Sequence, residues 1–138
     1  MAQPDEVVAM EALKASLAAA LPGRRVSRSF RPMTRHNAAD LERGVVALVV
    51  LGEGDFANYR GREADLGTLD VMLVALLKVL DSAEPVAIED AEFVLLGQVK
   101  AWLRGALPVR QCLLRSVVQS GQQDAPYGWV TMKLEVMP

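Results

Sequence analysis

The residue types that do chemistry are few and scattered in this chain. There is one histidine, His36, and one cysteine, Cys112. A thiolate metal centre needs several cysteines, and a nucleophilic thiol or hydroxyl needs a base beside it. Cys112 falls inside the apolar run "VRQCLLRSVVQS" and has no histidine near it in sequence, so it reads as a buried, inert thiol. It cannot form a disulfide within the chain, which suits a reducing compartment. His36 sits among arginines in a polar segment and reads as a solvated histidine. The carboxylates fall into two groups. Glu53, Asp55, Glu63 and Asp65 offer oxygen ligands, but their spacing does not match a calcium loop. Glu89, Asp90 and Glu92 stand near the start of a predicted helix, where capping and the helix dipole account for them. "GEGD" at 52–55 and "GREADLG" at 61–67 contain glycines, yet neither has the Lys-Ser/Thr or the helix start that cradles a phosphate. The expectation is a protein without catalytic residues, cofactor or metal.

What stands out instead suits contact with a partner. Arg24, Arg25, Arg28, Arg31, Arg35 and Arg43 concentrate positive charge in one segment. Such a segment is either a solvated face or a patch that meets an acidic surface. Phe56 and Tyr59 lie in the turn-rich stretch 53–67 outside any core periodicity, with Asp55, Arg60 and Glu63 beside them. Trp129 falls on the wetter side of the last predicted strand. Apolar groups that a monomer does not bury are candidates for an interface.

The composition bounds these alternatives. The chain has 138 residues, 51% hydrophobic and 23% charged, which fits one domain, 1–138, with a real core. Aromatics are only 5%, so Val, Leu and Ala must fill that core. A net charge of −2 does not advertise nucleic-acid binding. The N-terminal "MAQPDEVVAM" has no basic and then apolar stretch of a signal peptide. The longest apolar runs, "GVVALVVLG" and "VMLVALL", fall well short of the roughly 20 residues that span a bilayer. A soluble, cytoplasmic protein is expected.

The elements that must position these residues follow from periodicity. Residues 5–21 read as a helix, with Val7, Met10, Leu13, Leu17 and Leu21 on one face and "PG" at 22–23 ending it. Val26 and Phe30 suit a short strand, and the rest of 24–43 reads as a polar loop. Residues 44–52, β-branched and bounded by glycines, read as a buried strand. "GTLDVMLVALLKVL" at 67–80 fits both a helical stripe and a two-sided strand. Its place after a Gly-rich loop, and just before a capped helix, favours a central strand. Met72, Val74 and Leu76 then need cover on a second face. Residues 86–106 read as a helix with Ile88, Ala91, Leu95, Val99, Trp102, Leu103 and Ala106 inward. Residues 109–120 and 129–137 form a closing hairpin, the latter alternating Val130, Met132, Leu134 and Val136 against Trp129, Thr131, Lys133 and Glu135. The predicted fold is α+β, a mostly antiparallel β-sheet with two main helices packed on one face.

Several stretches carry a resemblance over essentially the whole chain: "MEALKASLAAALPGRRV", "GVVALVVLGEGDF" with "DLGTLDVMLVALL" around a loop, "AIEDAEFVLLGQVKAWL", and "SGQQDAPYGWVTMKLEVM". In pattern and size the chain resembles the tail terminator family, the minor tail protein U-like proteins of long-tailed bacteriophages. The resemblance implies a virion tail protein without catalysis, assembled in the host bacterial cytoplasm. Its partners would be further copies in a homo-hexameric ring, the major tail tube protein and the head completion or connector protein. It supplies no residue-level signature. Arg28, Arg31, Arg35, Asp55, Phe56, Tyr59, Arg60, Glu63 and Trp129 are therefore interface candidates from residue type alone. Two alternatives stand beside it: another head–tail joining or neck component, and a small-molecule or peptide-binding α+β module.

Overall fold

The computed structural model describes residues 3–56 and 66–138. Helix α1 spans Asp5–Ala20, strand β1 Arg25–Ser27, a 3₁₀ turn Met33–Arg35, helix α2 Ala38–Arg43, and strands β2 and β3 Val45–Gly54 and Thr68–Lys78. Helix α3 spans Val86–Arg104, and strands β4 and β5 cover Gln111–Gln119 and Tyr127–Met137. The five strands form one sheet in the order β1-β2-β3-β5-β4, antiparallel throughout except for the short β1–β2 pair. The expected α+β architecture is present, with α1 and α3 on one face of this sheet.

The 67–80 stretch is a strand, and it is the middle one. Its odd-numbered residues Leu69, Val71, Leu73, Ala75 and Leu77 enter the main core with Met10, Leu13 and Leu17 of α1 and Ile88, Leu95 and Val99 of α3. Its other face supplies Val74 and Leu76 to a second, smaller cluster with Leu41 and Val45, against which Met33, Met72 and Trp129 pack. This is the cover that the second face required. It comes from α2 and the 3₁₀ turn, within a segment that the sequence reads as polar loop. The helix is short, and Leu41 is its only buried residue, so no apolar stripe announces it. Asn37 caps it, accepting from the Asp40 N–H at 2.8 Å. Gly44 closes it at φ +92°, and Arg24 lies where a side chain at Gly44 would stand.

Three further details differ from the periodic reading. Phe30 lies outside β1 and is exposed. Strand β2 continues past Gly52 to Gly54, and its distal residues Val50 and Leu51 are exposed, because the helices do not reach that far. Helix α3 ends at Arg104, two residues before Ala106. The pairing also slips once in β2, at Leu51, and once in β4, at Arg115. Val50 pairs with Val71, Val71 with Leu134 and Leu134 with Leu114, so the two bulges fall on one transverse row.

Candidate functional site

The arginine segment is anchored through its first residues. Arg25 on β1 pairs with Asp40 of α2 at 3.1 Å, and Arg28 pairs with Glu11 of α1 at 2.8 Å. Arg28 and Lys14, both bonded to Glu11, hold its carboxyl below the usual range. Arg24 donates to Gln98 Oε1 of α3 at 2.8 Å and to the Arg43 carbonyl, and partial burial pulls its guanidinium down. Arg24, Arg25 and Arg28 thus work within the chain, stitching the segment to α1, α2 and α3. Arg31 and Arg35 are exposed and make no ion pair among the described residues.

Two adjoining cavities flank the 3₁₀ turn. One, of about 260 Å³, is lined by Arg25, Arg31, Arg35, His36, Asp40 and Val45, with Ser27 and Ser29. Its lining holds three guanidinium groups against one carboxylate, and that carboxylate is committed to Arg25. The other is a groove of about 600 Å³ walled by Met33, Leu41, Leu76, Tyr127 and Trp129, with Thr34, His36 and Asp124 as polar members. His36 lines both, its Nε2 3.2 Å from the Arg31 carbonyl oxygen. Lys78 holds the Tyr127 side of the groove. Its ammonium lies 5.7 Å from the ring centroid and pairs with Asp81 at 3.1 Å, and that pairing raises its pKa.

Of the other candidates, Trp129 is half-buried and partly used by its own chain in the second cluster, leaving one side to the groove. Asp55 follows β2 at φ 60°, and Phe56 is exposed, its ring near Gly67. Glu53 accepts from the Gly67 N–H at 2.7 Å. Tyr59, Arg60 and Glu63 lie outside the described residues. The arginines are not brought to the Asp55–Phe56 pair. They sit by the first residue of β2 and the pair follows its last, roughly 30 Å apart at about 3.3 Å per residue.

Burial raises the Cys112 thiol to about 11. The thiolate is then scarce at neutral pH, as expected of an inert core cysteine. Glu92 is the residue that sequence reasoning missed. It is not a surface dipole partner. It is buried on the inward face of α3, accepting from the Ser120 hydroxyl and from Gln119 Nε2 at 3.3 Å. The only signal available was its helical spacing to Ile88, Leu95 and Val99. Among the described residues no group of three or more His, Cys, Asp or Glu is placed to hold a metal, and no helix is long and apolar enough to cross a membrane. No protein-family model matches the chain, and no curated protein matches it in sequence.

Proposed function

We propose that this chain is a tail-end assembly protein of a long-tailed bacteriophage or prophage. It caps the growing tail tube as a ring, stops further polymerisation and offers its other face to the head connector. The observation that supports this most is the placement of unsatisfied surface. Positive charge gathers at one end of β2 beside an apolar groove, and the Asp55–Phe56 pair projects at the other. A chain with two different contact surfaces at opposite ends associates heterologously, and heterologous contacts close into rings when the rotation allows. The partners in this scheme are further copies of the chain, the tail tube protein and the head completion protein. The work is mechanical, and no residue needs to act as acid, base or nucleophile.

The test is direct. A long-tailed phage's tail tube protein is polymerised with and without this chain, and tube length and ends are scored by negative-stain microscopy. The expected result is a cap on one end and a sharply shortened length distribution. Tubes that grow to the same lengths and carry no cap at any ratio would falsify the assignment. The groove of about 600 Å³ favours one second possibility, a module that binds a small apolar ligand or peptide. In that case ligand would shield Trp129 while tube growth went on unchanged.

A further inference from the structure

We infer that Asp55 and Phe56 of one copy dock into the arginine cavity and the Trp129 groove of a second copy, joining copies head to tail. This rests on the assembly role proposed above and names the junction within it.

Geometry excludes the same contact inside one chain. Val45, the first residue of β2, lines the arginine cavity, and Asp55 immediately follows Gly54, the last. The roughly 30 Å of extended strand between them is far beyond the reach of an arginine and an aspartate side chain. Only another copy can bring the two together.

Charge then selects the occupant. Arg31 and Arg35 face one cavity with Arg25, and the only carboxylate in its lining among the described residues is already bound by Arg25. Two guanidinium groups remain for an incoming anion, and a carboxylate is the anion their planar donor forks match best. Asp55 makes no ion pair among the described residues, and its positive φ turns the chain out of the strand direction. The next side chain, Phe56, is exposed to 38%. Neighbouring residues thus meet neighbouring cavities. The acid faces the arginines, and the ring enters the groove of Met33, Leu41, Leu76 and Trp129 across the shared His36. Aromatic anchors in apolar pockets with a charge-assisted rim are the usual source of interface affinity. Because donor and receptor are different surfaces of one chain, each added copy exposes a fresh receptor.

Disulfide trapping tests the junction even when association is weak. In a Cys112→Ala background, Thr34→Cys marks the groove, and Gly54→Cys marks the far end of β2, where a side chain meets open space. Under mild oxidation the two single variants mixed should cross-link about tenfold faster than either alone, a preference worth one decade of affinity. The variant carrying both should give a ladder of covalent oligomers. Asp55→Arg in that variant, or Arg31→Glu with Arg35→Glu, should cut the ladder about tenfold, and combining the two reversals should restore it. Like-with-like cross-links at the same rate, or a ladder indifferent to the reversals, overturns the junction. A trapped ladder without tube capping supports the junction and removes the tail-end role. Capping without a ladder does the opposite.

Discussion

Gly128 of β5 sits directly beneath α3. A Cβ there would overlap both the Glu92 carboxylate and Ile88 Cγ1, so the strand and the helix approach as closely as they do only because this residue has no side chain. Gly128→Ala should therefore lower stability by about 1–3 kcal/mol, through overpacking and displacement of a buried carboxylate from its partners. The check is the urea midpoint, with Gly97→Ala on the exposed side of α3, where a Cβ meets open space, as the matched control. A Gly128→Ala midpoint equal to that control would contradict the close packing. Little of this was legible beforehand. Gly128 falls just before the predicted strand 129–137, and Glu92 looked like one more acid in a helix start, its spacing to Ile88, Leu95 and Val99 being the one sign of burial. The fate of Cys112 was legible, since a lone thiol within an apolar alternating strand has little choice but to be buried.

At the scale of elements, β3 carried the ambiguity and resolved it by position. Its residues pattern as well on a helix as on a strand, because a strand covered on both faces is apolar on both faces and loses the alternation that identifies it. Helix α2 was hidden for the opposite reason: six residues with one inward leucine show no stripe at all. What betrays it is its ends, Asn37 as cap and Gly44 as stop. Asn37→Ala should cost about 1 kcal/mol of stability. Hydrogen exchange at Asp40 and Leu41 should quicken more than exchange in β2, because the loss is local to α2. Uniform acceleration throughout the sheet would show instead that α2 has no independent opening. Strand and helix ends were otherwise read to within about two residues. The exception was β1, which stops at Ser27 instead of reaching Phe30.

The molecule as a whole is two unequal cores sharing one sheet. Trp102 lies in the larger, donating to Ser16 Oγ at 3.0 Å, and Trp129 borders the smaller on the opposite face. Strand β3 feeds both with alternate residues, so loss of the sheet removes the floor of both at once. Single-tryptophan variants, Trp102→Phe and Trp129→Phe, should then each unfold in one transition whose fluorescence midpoint coincides with that of far-ultraviolet circular dichroism. A Trp129 signal lost at lower denaturant than the dichroism would mean that the α2 side dissolves alone. The bulges at Leu51 and Arg115 have a consequence at this scale as well. They lie on the outermost long strands of the sheet, one toward each margin, and a kinked margin is a poor template for another strand. A chain that joined copies of itself, as proposed above, would court a second fate, in which sheets add edge to edge into fibres. Kinks at both margins work against that outcome.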